Sequence, residues 1–340
     1  MRSTIQDVAR KAGVSTATVS RALRGLPNVS PSTRYQVLQV AEDLDYRIAP
    51  EISRQARGRH TVAIVVPLAD QWFYSKLVSV AEIELMTQGC DVMRYSVDSV
   101  KSQISLVRHL TGRKLVDGLI LCSLSLTEEM VTLLQKVDVA VATVETHVPE
   151  FPAVWIDNVA AAEMATRYLI NLGHERIGII SGLEEAPIQF AIPQARKEGY
   201  LRALRQADIE FRPELEQPGN YIYEGGAEAM KQLFSVHQPP TAVFAFSDEM
   251  AIGALKSVRD MNLRVPEDIS IMGFDDNDVS EYVGLTTMRQ PVAEYGEIAV
   301  AEVMRQLENE DGNDDERENI ICSASLIVRA TTGPLLSGKR

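Results

Sequence analysis

The stretch Thr4-Ile5-Gln6-Asp7-Val8-Ala9-Arg10-Lys11-Ala12-Gly13-Val14-Ser15-Thr16-Ala17-Thr18-Val19-Ser20-Arg21-Ala22-Leu23 decides how the first part of this chain folds. Ile5, Val8 and Ala9 recur at i, i+3 and i+4, which is an apolar helical stripe. Ala12-Gly13-Val14 supplies a tight turn, with Gly13 where a left-handed backbone costs least. Ser15 is a good N-cap for a second helix whose inward stripe is Val19, Ala22 and Leu23. Two short helices joined by a glycine turn form a helix-turn-helix. Its outer face carries Thr16, Ala17, Ser20 and Arg21, short or cationic side chains that let a helix lie in a major groove and read base edges.

Working outward, Asn28-Val29-Ser30-Pro31-Ser32-Thr33-Arg34 starts a third helix, with Ser30 as N-cap and Pro31 in the first turn. Tyr35, Leu38, Ala41, Leu44 and Tyr46 are expected to face its core. The strings TIQDVARKAGVSTATVSRALRG (4–25) and VSPSTRYQVLQVAEDLDY (29–46) closely resemble the headpiece of the lactose repressor/galactose repressor (LacI/GalR) family. The resemblance implies a DNA-binding headpiece over 1–46 and a hinge over 47–60. The family's hinge folds on the operator and enters the minor groove, often wedging a leucine into the central base step. Gln55 stands at that leucine position here, and Ile52 is the bulky aliphatic residue nearby. The DNA-contact candidates are therefore Thr4, Ser15, Thr16, Ala17, Thr18, Ser20, Arg21, Ser30, Thr33, Ile52, Ser53, Gln55 and Ala56.

Charge agrees with a chain that meets nucleic acid at one end. The 340 residues carry a formal net charge of −13. Residues 1–60 hold ten Lys/Arg and five acids, or +5, and the remainder is −18. A basic head on an acidic body is an electrostatic footprint confined to the head. Cys90, Cys122 and Cys322 are scattered in apolar contexts and read as reduced core residues. The five histidines are dispersed, so no metal and no cofactor are expected. The N-terminus does not look like a signal peptide, and no run of about 18 apolar residues is present, so a cytoplasmic protein without a membrane partner is expected.

From residue 61, apolar strand-like runs alternate with amphipathic helical runs. Strands are expected near 61–67, 91–96, 116–121, 139–144, 155–157, 176–181, 241–246 and 269–274. The helices between them lie near 75–88, 101–111, 127–136, 158–172, 195–207, 224–234 and 249–261. This pattern means two doubly wound parallel-sheet halves, with a cleft at the carboxyl ends of their strands. The fold class is thus an all-α helix-turn-helix headpiece plus an α/β body of two doubly wound parallel-sheet subdomains, a body that also resembles the periplasmic sugar-binding proteins. The phrases VDGLIL (116–121), WIDN (155–158), LGHERIGIISG (173–182), ARKEGYLRAL (195–204), PPTAVFAFSDEMAIGAL (239–255), RVPEDISIMGFDD (264–276), LTTMRQP (285–291) and ASLIVRATTG (324–333) extend the family resemblance to nearly the whole chain. It implies a body over 61–340, with an N-subdomain of about 61–156 and 291–323 and a C-subdomain of about 157–290 and 324–333. The acidic run 308–318 reads as an exposed loop, with bound calcium the alternative. The tail 333–340 has no leucine heptad, so a homodimer is expected rather than a tetramer.

A cleft for a polyhydroxylated ligand needs aromatic faces and a few fixed charges. By resemblance, Phe73 and Tyr74 match effector-contact positions, Glu145 a polar contact, Arg196 an anchoring guanidinium and Asp275 an acceptor. Ser247 stands where many relatives carry asparagine, and Tyr221 and Phe190 are candidates for stacking. Phe190 and Ile192 disfavour a purine and leave a sugar, sugar phosphate or nucleoside open. The resemblance implies a transcriptional regulator, most simply a repressor of double-stranded operator DNA switched by a small sugar-like effector; a co-repressor-dependent form is the alternative. A solute receptor is argued against by the cationic headpiece. An enzyme is argued against because the chain shows no dinucleotide or phosphate-binding glycine motif and no nucleophile-base arrangement.

Overall fold

A computed structural model of the protein describes residues 4–23, 26, 29–44, 59–67, 69–182, 191–309 and 319–336. Three helices open the chain: α1 (Ile5–Ala12), α2 (Thr16–Leu23) and α3 (Pro31–Asp43). Gly13 ends α1 at φ +66°, the left-handed turn that glycine tolerates without Cβ strain. The backbone N–H of Thr18 donates to Ser15 Oγ at 3.0 Å, and that of Thr33 to Ser30 Oγ at 3.1 Å, so both serines cap the helices that follow them. Thr4 opens α1 by donating its N–H and its hydroxyl to Asp7 Oδ2. Val8, Ala9, Ala12, Val19, Ala22, Leu23, Val37 and Ala41 make one small core. The third helix differs from its expected register. Tyr35 is 68% exposed and Val37 is fully buried. Val37, Ala41 and Leu44 share a face at i, i+4 and i+7, and Tyr35 lies about 200° around the helix from Val37. Tyr46 lies outside the described residues.

Among the described residues, the body contains two six-stranded sheets. The first runs β11–β5–β4–β3–β1–β2, with β1 (Thr61–Val66), β2 (Asp91–Ser96), β3 (Gly118–Cys122), β4 (Ala140–Val144), β5 (Ala153–Ile156) and β11 (Asn319–Cys322), all parallel. The second runs β12–β10–β9–β8–β6–β7, with β6 (Ile177–Ser181), β7 (Glu216–Pro218), β8 (Ala242–Ala245), β9 (Ser270–Asp275), β10 (Thr286–Arg289) and an antiparallel edge, β12 (Ser325–Ile327). The central strands are buried on both faces, which is why they read as unbroken apolar runs. In the first sheet, Val62 and Ile64 face one apolar cluster while Ala63 and Val65 face another. Helices α4 (Trp72–Thr87) and α11 (Val292–Glu308) cover one face; α5 (Val100–Gly112) and α6 (Glu128–Gln135) pack together over the other. In the second half, α7 (Asn158–Asn171) packs against α8 (Ile192–Gln206), and α9 (Tyr223–Ser235) against α10 (Asp248–Asp260).

Both sheets repeat one order, in which the first strand lies between the second and the third. Such a reversal leaves a crevice at the carboxyl end of the first strand. The chain passes between the sheets at β5–α7, β10–α11 and β11–β12. Asp276, just past β9, pairs with Arg289 at 2.7 Å and Arg329 at 2.7 Å, tying two of those passages to one carboxylate. Helix α11 and strands β7, β10, β11 and β12 have no counterpart among the elements expected from sequence periodicity. Strand β7 and strand β12 span only three residues each, too short to show a period. Among the described residues, no helix is long and apolar enough to cross a membrane.

The α3 register makes a direct prediction. Val37→Ala should cost about 1–3 kcal/mol of headpiece stability, and Tyr35→Ala within about 0.5 kcal/mol. Amide hydrogen exchange of the α1–α3 backbone in the full-length protein measures both, and the opposite ranking would restore the expected register.

Candidate functional site

The cleft lies where the carboxyl ends of both sheets meet. Its wall is formed by Gln71, Phe73, Tyr74, Glu145, Ile192, Pro193, Arg196, Tyr221, Ser247, Glu249, Asp275 and Gln290. Helix α4 begins at Trp72, three residues earlier than expected, so Phe73 and Tyr74 sit in its first turn above β1. Their rings meet edge to face at 5.1 Å. Glu145 directly follows β4, Tyr221 follows β7, Ser247 follows β8 and Asp275 ends β9. Glu145, Tyr221 and Asp275 all have positive φ, at 53°, 58° and 119°. Non-glycine residues held there are strained, and such strain concentrates at binding sites.

Arg196 is the central charge. Its guanidinium carbon lies 3.6 Å from the centroid of the Phe274 ring. Its Nε donates to Asn158 Oδ1 at 3.0 Å, and Nη1 donates to the Phe246 carbonyl. Asn158 in turn donates to Glu145 Oε2 at 2.7 Å, and the Ile156 N–H donates to Glu145 Oε1 at 3.0 Å. One polar chain therefore runs from the end of β4, through the β5–α7 passage, to α8. Buried ions are tolerated only with such partners.

A second network lies behind the wall. Asp248 is fully buried and accepts from Thr287 Oγ1 at 2.6 Å, Ser280 Oγ at 2.6 Å and the Asn277 N–H at 2.8 Å. A Cβ on Gly273 would sit 2.1 Å from Asp248 Oδ1, so glycine makes room for this carboxylate. Gln290 Nε2 donates to Asp275 Oδ1 at 2.6 Å. Ser247 Oγ accepts from the Met250 N–H at 3.3 Å and so caps α10. The Tyr221 hydroxyl is buried and has no hydrogen-bond partner among the described residues. Burial raises the Asp275, Asp248 and Glu145 carboxyls above the usual carboxylate range. It pushes Glu249 up to about 7 and the Tyr221 phenol up to about 12.

The two halves also touch at the cleft mouth. The Trp72 N–H donates to Glu249 Oε1 at 3.4 Å, Trp72 Nε1 donates to Asp278 Oδ2 at 3.1 Å, and Lys76 lies 3.7 Å from Asp278. The structure thus brings Phe73, Tyr74, Glu145, Arg196, Tyr221, Ser247 and Asp275 to one cleft; Phe190 lies outside the described residues. Glu249, Gln290 and Pro193 were not singled out from sequence. Glu249 stands two residues past Ser247, one helical turn below a strand end, and that placement was the available signal. Gln290 sits in a passage between the sheets, where its side chain's direction depends on β10.

On the headpiece, Thr16, Ala17 and Arg21 are exposed on α2, while Thr18 and Ser20 are half-buried. Thr4, Ser15 and Ser30 are exposed and Thr33 half-buried, each at or near a helix start. Ile52, Ser53, Gln55 and Ala56 lie outside the described residues.

A helix-turn-helix carried on a two-sheet body with a cleft between the sheets defines an effector-binding DNA regulator. Residues 4–48 match the family model of bacterial regulatory proteins of the lacI family, and residues 166–332 match a periplasmic binding protein-like domain. The chain is 35% identical over 338 residues to the HTH-type transcriptional repressor CytR of Escherichia coli K12, covering 98% of this chain and 97% of that protein. It is 36% identical over 316 residues to catabolite control protein A of Priestia megaterium, covering 91% and 94%. The solved CelR–cellobiose complex, a transcriptional regulator, superposes with a TM-score of 0.70 at 30% identity over 97% of this chain and 100% of that one. This chain belongs to the lacI family of bacterial regulatory proteins.

The buried carboxyls set a pH dependence. A carboxyl raised on folding binds its proton more tightly in the folded state. Between the ordinary value of 4.5 and about 7, Glu249 therefore subtracts stability as pH rises, and the subtraction is complete above about 7. Glu249→Gln is expected to flatten this part of the stability curve of the ligand-free protein, read from urea midpoints between pH 4.5 and 7.5. An unchanged slope would mean that Glu249 titrates normally.

Proposed function

We propose that this protein is a homodimeric repressor that reads a near-palindromic operator with α2 and releases it when a small sugar-like effector fills the cleft. The observation that carries this reading is the joining, in one chain, of an exposed Thr16–Ala17–Arg21 face to a cleft walled by both sheets. Arg21 presents a planar fork suited to guanine, and Thr16 and Ala17 are short enough to let the helix approach base edges. Ser15, Thr18, Ser30 and Thr33 place hydroxyls and helix N-termini toward phosphate, and Thr4 and Ser20 flank them. Their hydroxyl pairs, Ser15–Thr18 at 2.8 Å and Ser30–Thr33 at 2.7 Å, are already ordered by capping.

The division we propose is a headpiece over 1–46, a hinge over 47–60 and a body over 61–340. Within the body, 61–156 with 291–323 and 157–290 with 324–333 move as subdomains. Ile52, Ser53, Gln55 and Ala56 would meet the minor groove, where Gln55 hydrogen-bonds base edges in place of an aliphatic wedge. Phe73 and Tyr74 supply apolar faces for the ligand's C–H surfaces. Arg196, Glu145, Ser247, Asp275 and Tyr221 supply its hydrogen bonds, with Phe190 closing over it. The contacts of Trp72 with Glu249 and Asp278 cross between the halves at the cleft mouth, so a ligand in the cleft acts on contacts by which the halves meet. The effector shifts operator affinity only as far as it prefers one arrangement of the halves. The protein acts by binding, without turnover, in the cytoplasm. The relatives support this reading: one is a repressor, and another is solved with cellobiose.

The test is operator binding by fluorescence anisotropy, using the DNA upstream of the protein's own gene, across a salt series. Arg21→Ala is expected to cost about 1–3 kcal/mol and to relax specificity at one base pair. Equal affinity of the unmodified protein for that DNA and for random DNA would overturn the reading.

A further inference from the structure

We propose that the cleft is built for an uncharged, unphosphorylated ligand that offers several hydroxyl donors, and that Glu249 is a residue that reads them. This inference rests on the effector-binding reading above and narrows its ligand class.

The first argument is the charge of the wall. Three carboxylates, Glu145, Glu249 and Asp275, line the cleft against one cation, Arg196. Asp248 stands directly behind Asp275, and Asp70 lies beside Glu249. The Arg196 guanidinium is largely committed: Nε is bound to Asn158, Nη1 to Phe246, and the plane is pressed on Phe274. Among the described residues, Nη2 and the second N–H of Nη1 are left to offer. A phosphoryl group placed here would lose its hydration beside three carboxyls, with Arg196 the one cation among the described residues that line the cleft.

The second argument is the surplus of acceptors. Glu249 is 9% exposed, and its single hydrogen bond among the described residues is the long one from Trp72. Burial already holds its carboxyl near neutrality, and Asp275 is raised for the same reason. In the empty cleft the Glu249 carboxyl, with one long hydrogen bond among the described residues, therefore lacks donors. Ligand hydroxyls directed at Glu249 and Asp275 supply them, and charge-assisted O–H···O⁻ bonds are the strong kind. The unpartnered Tyr221 hydroxyl can meet a further ligand oxygen. Because Glu249 also accepts from Trp72 of the other half, a hydroxyl bound to it engages the same carboxylate that joins the two halves.

The experiment uses the full-length protein and matched pairs: glucose and glucose 6-phosphate, ribose and ribose 5-phosphate, cytidine and cytidine monophosphate, with cellobiose added. Thermal shift is followed by titration calorimetry. The proposal expects binding only in the unphosphorylated column, with the phosphorylated partner of any hit more than a hundredfold weaker. Sugar hits and nucleoside hits distinguish the two sources of hydroxyls. Glu249→Gln, which keeps an oxygen toward Trp72, is expected to weaken the hit about tenfold. Three results overturn the proposal: a phosphorylated compound that binds as well as its partner, a panel in which no unphosphorylated compound binds, or a Glu249→Gln protein that binds like the parent. Operator anisotropy on the same samples separates this outcome from failure of the regulator reading, which would appear as loss of DNA preference with no compound present.

Discussion

The buried guanidinium of Arg196 is the constraint on which the body depends. An arginine that is 3% exposed must have every approach filled, because an unpaired buried cation costs more than a domain can spare. The ring of Phe274 fills its face, and Asn158 and Phe246 fill two edges. Each partner belongs to a different element: β9, the start of α7 and the end of β8. Asn158 hands the interaction on to Glu145 at the end of β4. The position of α8 over the second sheet and that of the first sheet's β4 are thereby linked through three side chains. Arg196 also lines the cleft, so one residue both holds the wall together and belongs to its surface.

A second set of polar contacts decides where the mouth of the cleft lies. Asp248 gathers Thr287, Ser280 and the Asn277 backbone, which anchors the 276–283 segment to β10 and α10. That segment presents Asp278 to Trp72 and Lys76 across the cleft. Asp276, next to it, holds Arg289 and Arg329. The acidic side chains at the end of β9 thus do different jobs at neighbouring positions. Asp275 lines the cleft and accepts from Gln290, while Asp276 clamps the passages between sheets. Their left-handed backbones, at φ 119° and 58°, turn successive side chains toward those different partners.

Much of this was legible in the residues themselves. The glycine turn at 13, the caps at Ser15 and Ser30 and the inward stripe Val19, Ala22, Leu23 follow from local rules, and local rules act within a few residues. The strands of the body were legible because burial on both faces leaves an unbroken apolar run. Tyr35 was misplaced because aromatic bulk suggests a core, while the packing of α3 onto α1 and α2 selects Val37. Glu249 was passed over because a carboxylate at the start of a helix already has an ordinary explanation: it complements the helix dipole. Only the approach of Trp72 from the other half makes that carboxylate part of the cleft.

The sequence by itself determined the helix-turn-helix, the alternation that builds two parallel sheets, the polarity contrast between head and body and, through the family's motifs, the side chains gathered at one cleft. These depend on periodicity, capping and composition, each read over a short window. The tertiary structure decided which carboxylates share the cleft, that burial raises them and how the Arg196 guanidinium is held. Those properties depend on distances between residues more than a hundred positions apart, such as Trp72 and Glu249, and on the water excluded when the two sheets meet. Neither quantity exists until the chain has folded.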